Sequence, residues 1–257
     1  MTSVQNGTFE VAADATIGAI EMAANTGFKV TGATVTLSQE NTTLNNLSGE
    51  NGTINATNLT LNNDAKSKYS GTINATSVTK TGEGTTQLNT DNAQPINANV
   101  TATEGRLDVQ GKTTGDLTVG SGAVFSPGNS VGTAEVGGKF TLEEGGILLL
   151  EQDPLSGMDL LKAASFDVES GIIDLDMASA QPGAKYPVIQ NTSGAFGSDY
   201  QNEFWNSLLT STSDYFWNLT VEGNTVFAAF DNNAVPEPAT WALLLLGAFG
   251  LMYWRKK

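Results

Sequence analysis

Asp174 and Asp176 alternate along one predicted strand, and a period of two sends both side chains to the same face. Paired carboxylates about 5 to 10 Å apart are the equipment of glycoside hydrolysis, so this is the best acid–base pair the chain offers. Lyase chemistry needs an Arg or Lys base beside acidic residues, and the body holds a single arginine, Arg106. The chain has no Cys and no His, which excludes thiolate nucleophiles, imidazole catalysis, the Ser-His-Asp triad and ordinary zinc sites. The Gly-Gly-x-Gly-x-Asp nonapeptide of calcium β-rolls is missing too. A solvent-facing strand edge kept soluble by like charges accounts for Asp174 and Asp176 without catalysis. The expectation is therefore no enzyme, with no catalytic, cofactor-binding or metal residues.

Carbohydrate contact is the other chemistry in view. Phe204, Trp205, Tyr215, Phe216 and Trp217 crowd into the stretch from Tyr186 to Phe230. Aromatic faces hold sugars, which makes Tyr215, Phe216 and Trp217 the glycan-contact candidates. The stronger expectation for this stretch is a cap over an open end of a repeat array, which such arrays need for solubility. Asn-x-Ser/Thr triplets, for example at Asn6, Asn41, Asn55, Asn74 and Asn218, follow from the abundance of Asn and Thr.

The elements that must position these groups are strands. Of 257 residues, 39% are hydrophobic and only 15% charged, with a net charge of −15 that comes from scarce Lys and Arg and argues against a nucleic-acid partner. Gly52-Thr53-Ile54-Asn55-Ala56-Thr57 recurs as Gly71-Thr72-Ile73-Asn74-Ala75-Thr76, with a variant from Ile96 to Thr101. Leu117-Thr118-Val119, Phe140-Thr141-Leu142 and Phe166-Asp167-Val168 form a second family, each followed by a glycine three residues on. Repeats of about twenty residues with period-two alternation describe a β-solenoid, in which stacking buries the inner face and aligns Asn and Thr into ladders.

From Ala239 to Trp254 the chain carries no charge, and Arg255, Lys256 and Lys257 follow at once. Such a run reads as a membrane-spanning helix, with Trp241, Tyr253 and Trp254 at interfacial positions and the basic end cytoplasmic. Upstream, Val235-Pro236-Glu237-Pro238 is held extended by its prolines and is presented as an open peptide.

Pro236, Glu237 and Pro238, the apolar helix and the basic end together resemble the PEP-CTERM sorting signal of Gram-negative bacteria. The resemblance implies cleavage near the motif by an exosortase, passage through an inner-membrane intermediate, and delivery to the cell surface or exterior. It also implies exopolysaccharide-producing or biofilm-forming hosts. Proteins of this kind carry a secretion leader, whereas Met1 to Ala13 has neither a basic nor an apolar region, so further N-terminal sequence is expected. Thr79-Lys80-Thr81-Gly82-Glu83-Gly84-Thr85 resembles the start of the autotransporter-associated β-strand repeat. Phe125-Ser126-Pro127-Gly128-Asn129-Ser130-Val131-Gly132-Thr133 is similar to the turn that closes such repeats. This second resemblance implies a right-handed parallel β-helix.

The expected fold is all-β, a β-helix or solenoid with a capping region and one C-terminal transmembrane helix. Residues 1–44 are expected as an N-terminal cap or incomplete first coils, 45–185 as the repeat region, and 186–230 as the aromatic-rich cap. Residues 231–238 form the linker with the sorting tripeptide and 239–257 the spanning helix with its basic tail. The expected function is a stalk, adhesin or biofilm component with exosortase, the membrane and an exopolysaccharide as partners. The alternatives are a β-helical polysaccharide-active enzyme and a glycan-binding module.

Overall fold

The computed structural model describes residues 1–89, 94–153, 155, 157–177, 183–210 and 217–230. Within the repeated hexapeptide, β-branched residues alternate with small polar ones, a pattern that suits a pleated, half-buried surface. The two copies stack in parallel, with Thr53 opposite Thr72, Ile54 opposite Ile73 and Asn55 opposite Asn74. The same pairing extends in both directions. Ala15, Val35, Ile54, Ile73, Ile96, Thr113, Val136 and Ala163 form one inward column through successive coils. Val35, Ile54, Ile73 and Ile96 are fully buried, and burial of each such side chain stabilises the stack by roughly 1.5 to 3 kcal/mol.

Two further faces close each coil. On the second face Thr42, Leu59, Val78, Val100, Leu117, Phe140 and Phe166 line up inside. On the third, Thr86, Leu107, Phe125, Leu148 and Ile173 do so. The result is an all-β solenoid of about seven turns, in which the first repeat family begins on the first face of the earlier coils and the second lies on the second face of the coils that follow. Strand Ser67–Thr81 begins on the third face, with Ser67 opposite Thr86, and continues through the first and second, its register shifting between Ser70 and Thr72 and again between Asn74 and Ser77. Residues 1–44 run as coils as well, with Thr2–Val4 beside Ile20–Met22 and Thr8–Val11 beside Gly27–Val30.

One inward position breaks the apolar rule. Lys80 stands in a column with Leu44, Leu61, Ala102, Val119 and Leu142 and is 0% exposed. Its ammonium donates to the carbonyls of Thr81 at 2.9 Å, Gly82 at 2.5 Å and Glu104 at 3.0 Å. Burial lowers its pKa to about 8, with Glu104 and Asp64 acting in the opposite sense. The lysine of the Lys-Thr-Gly-Glu-Gly stretch thus ties two coil corners together from within. The glycines serve the same corner: Gly82 and Gly105 have φ of 76° and 61°, and a Cβ on Gly105 would lie 2.5 Å from the Gly82 carbonyl oxygen.

At the C-terminal end the repetition stops. Strand Lys185–Asn191 still pairs in parallel with Leu160–Val168, but its other partner, Thr225–Phe230, runs antiparallel and forms a hairpin with Trp217–Glu222. The short helix α1, Asn202–Ser207, adjoins this hairpin. Among the described residues no helix is long and apolar enough to cross a membrane. The expected spanning segment 239–257, with Trp241, Tyr253, Trp254, Arg255, Lys256 and Lys257, lies outside the described residues.

Candidate functional site

The third face gathers the most chemically capable groups. Strands Thr85–Asn89, Gly105–Thr113, Ala123–Ser126 and Ile147–Asp153 stack there, and their solvent-side positions supply Gln87, Arg106, Asp108, Ser126 and Glu151. The segment Pro127–Gly132 folds over this wall, so Gln87, Asp108 and Ser126 are buried although they point away from the core. Asp159 joins from the connection that leads to strand Leu160–Val168 and is 0% exposed.

These groups bond to one another. Arg106 Nε donates to Asp108 Oδ1 at 2.5 Å and its terminal nitrogen to Glu151 Oε2 at 2.7 Å. Gln87 Nε2 donates to Asp108 Oδ2 at 3.1 Å and also to Asn129 Oδ1. The Ser126 hydroxyl lies 3.2 Å from Glu151 Oε2 and 3.3 Å from Asp159 Oδ2. Asp159 accepts the backbone N–H groups of Gly132 at 2.7 Å and Glu151 at 2.9 Å. Burial pushes the Asp108 carboxyl up, with Arg106 pulling it back. Burial likewise lifts Asp159 to about 6, against the hydrogen bonds it accepts. Burial works against the Arg106 charge, yet Asp108 and Glu151 more than offset it and hold the guanidinium above its ordinary value.

The arrangement acts as a clamp. It fastens Pro127–Gly132 to the wall and links residues as far as 45 positions apart. Among the described residues no group of His, Cys, Asp or Glu side chains is arranged to hold a metal ion. Of the charged groups here the sequence reading singled out Arg106 alone, with Ser126, Asn129 and Gly132 entering only as parts of the repeat-closing turn. Asp108 sits between apolar Leu107 and Val109 and reads as an ordinary outward residue, while Asp159 lies between strands where periodicity is silent.

Asp174 and Asp176 do share the outer face of strand Ile172–Met177, opposite Leu149 and Glu151 of the preceding coil. Asp176 is exposed, whereas Asp174 Oδ1 accepts from the Thr210 hydroxyl at 3.3 Å. Asp176 therefore stands in solvent one coil beyond the carboxylate that binds Arg106, while Asp174 is partly covered by the segment that carries Thr210.

The aromatic end is a packed plug. Phe125, Phe140 and Phe166 stack at 5.7 and 6.0 Å inside the solenoid, and Phe166 continues to Phe196 at 5.5 Å and Trp205 at 6.4 Å. Phe204 meets Tyr200 edge-on at 5.1 Å, and the Tyr200 hydroxyl donates to the Phe166 carbonyl at 3.1 Å. Trp205 is 1% exposed and so presents no face to a sugar. Trp217 begins its hairpin strand opposite Phe230 and packs partly against the core. Tyr215 and Phe216 lie outside the described residues, as do Pro236, Glu237 and Pro238.

Comparison with known families bears on the tail. Residues 234–257 match the family model of the PEP-CTERM protein-sorting motif. No curated protein matches the chain. The matched segment contains the Pro236-Glu237-Pro238 tripeptide, the apolar run and the basic end in order. An all-β solenoid thus precedes a PEP-CTERM sorting motif, which marks the chain as an exported, exosortase-sorted protein of the Gram-negative cell surface.

Proposed function

We propose that this chain is a non-enzymatic surface or extracellular-matrix protein whose solenoid, a right-handed β-helix of the autotransporter-repeat kind, serves as stalk, adhesin or biofilm component. The observation that carries the reading is a sorting motif at 234–257 behind a body built of stacked, repeating coils. A rod of this kind lengthens by adding coils without altering those already present, which suits a spacer. The body's one arginine supports a structural role, because two carboxylates hold its proton in place. The C-terminal run would hold an inner-membrane intermediate until exosortase cuts near Pro236.

Replacing Pro236 and Pro238 by Ala tests the sorting half of the reading. The doubly substituted chain should stay uncut in the envelope fraction, and release at the wild-type level would contradict it. The structural half meets a separate test. If the purified chain cleaves a polysaccharide and Asp174→Asn with Asp176→Asn abolishes that cleavage, the enzyme reading replaces this one.

A further inference from the structure

The outer surface of the second face carries a rank of identical side chains. Thr43, Thr60, Thr79, Thr101, Thr118 and Thr141 lie directly opposite one another through six consecutive strands. Beside them run Asn41, Asn58, Ser77 and Asn99 on one flank, and Asn45, Asn62 and Thr81 on the other. The flanking ranks bond along the solenoid axis. Asn58 donates to Asn41 at 3.0 Å, Ser77 to Asn58 at 3.0 Å, Asn62 to Asn45 at 3.2 Å, and the Thr81 hydroxyl to Asn62 at 3.3 Å. The six central threonine hydroxyls have no side-chain hydrogen bond to any described residue.

Charge sets this face apart from the third; the first is equally neutral from Thr34 to Asn97, but there the amides of Asn97, Asn74 and Asn55 are spent on one another and on Thr36. The protein carries −15 overall, yet no outward position from Asn41 to Ala102 on this face is ionised, because Lys80 points inward. Ionised groups return only with Asp116 and with the Lys139–Asp167 pair. On the third face, by contrast, Lys29 pairs with Glu10, and Glu50, Lys68 and Arg106 all face outward.

We propose that this threonine face is the contact through which a second copy of the same chain docks side by side. Two acidic rods repel wherever charge faces charge, so close approach is least costly where both are neutral. A partner for a row of like hydroxyls must offer hydrogen-bonding groups at the same interval, roughly 4.7 to 4.9 Å, and another solenoid does so by construction. Asn41, Asn58, Asn62 and Asn99 each keep a spare N–H and lone pair for the threonines opposite, whereas Asn45 is buried and gives its amide to the Ala23 carbonyl at 2.9 Å. The face is flat and has no aromatic platform, which disfavours a glycan chain. Four strands of five residues span about 19 by 16 Å, or about 300 Å² per copy. That is under half the roughly 800 Å² per partner of a standard interface, so one contact is weak and many copies on one surface act together.

The proposal names a partner for the surface protein above, but its test needs no export, so failure of sorting and failure of pairing are separable. The full chain, biotinylated at its C-terminus, is attached to streptavidin beads in mild detergent, and clustering is followed by light scattering. Wild-type beads should cluster as coating density rises. Beads bearing Thr60→Lys, Thr79→Lys and Thr101→Lys should cluster about tenfold less, through like-charge repulsion across the contact. Beads with Ser70→Lys and Thr85→Lys on the third face should behave as wild type. Mixing the triple-Lys beads with a triple-Glu counterpart should restore clusters through opposite charges across the contact. Circular dichroism melts check that the variants fold, and the single Thr79→Lys chain carries the same reading if the triple does not. Wild-type beads that stay dispersed at every density, triple-Lys beads that cluster normally, or clustering that requires added neutral dextran would each overturn the proposal.

Discussion

Two halves of the solenoid solve the same problem by different means. From Thr34 to Ala102 the coils are held on the outside by like-to-like contacts, such as Asn97 donating to Asn74 at 2.7 Å and Asn74 to Asn55 at 2.8 Å. Each such bond joins a coil only to its neighbour. From Gly105 onward the outside is ionic, with Lys112–Glu135 and Lys139–Asp167 each at 2.8 Å and Arg106 reaching Glu151 across 45 residues. The interior changes in step, from stacked Ile and Val to the Phe125–Phe140–Phe166 series that ends in the Trp205 plug. Nearest-neighbour ladders make a modular rod whose first and second faces are neutral, whereas the clamp and plug tie several coils into one cooperative end.

The comparison breaks most readily inside. Phe140→Ala should cost about 3 to 5 kcal/mol and Ile73→Ala about 2 to 5 kcal/mol, read from chemical denaturation. If the halves differ in cooperativity as described, Ile73→Ala broadens the transition while Phe140→Ala shifts it whole. Arg106→Met should follow at about 3 kcal/mol, because it strands the buried Asp108 carboxylate without its partner. Lys80→Met removes the donor shared by three carbonyls and should cost about 2 to 4 kcal/mol, although it also removes a buried charge.

Acidity gives a finer probe of the clamp. The folded pKa of Asp159, about 6, lies above its unfolded value, so the native state binds the extra proton between those limits. The penalty for its buried charge is therefore present at pH 7 and relieved as pH falls through 6. Comparison with Asp159→Asn in melts from pH 7 to 5 should show the wild type gaining on the variant. Lys80 behaves in mirror image: its folded pKa, about 8, lies below the unfolded one, so its penalty holds below 8 and lifts as pH rises above it. The smallest effect belongs to the ladders, where Asn74→Ala should cost about 1 kcal/mol.

Much of the fold was legible in the residues. The spacing of the two Gly-Thr-Ile-Asn copies is the coil register itself, and Leu117, Phe140 and Phe166 stack as their shared pattern implies. Periodicity carries this because inward and outward alternate strictly where sequence neighbours are coil neighbours. It fails where the chemistry runs across coils. Nothing local marks Lys80 as an inward residue, since a lysine at an apolar position becomes sensible only once the carbonyls of Thr81, Gly82 and Glu104 converge on it. The clamp is hidden for the same reason: Arg106, Glu151 and Asp159 meet only after two coils have been wound and Pro127–Gly132 laid over them. The sorting motif was legible outright, because its signal is a linear run of residues from 234 to 257 rather than a fold.

The central claim is that this solenoid is sorted by its last residues, and intact mass spectrometry tests it most directly. The protein is recovered from host cells with and without a working exosortase, and each fraction is weighed. A body lacking the residues beyond the Pro236-Glu237-Pro238 region, found at the surface or outside only when the enzyme works, is the predicted result. A chain of full mass in the same fraction of both strains would contradict it.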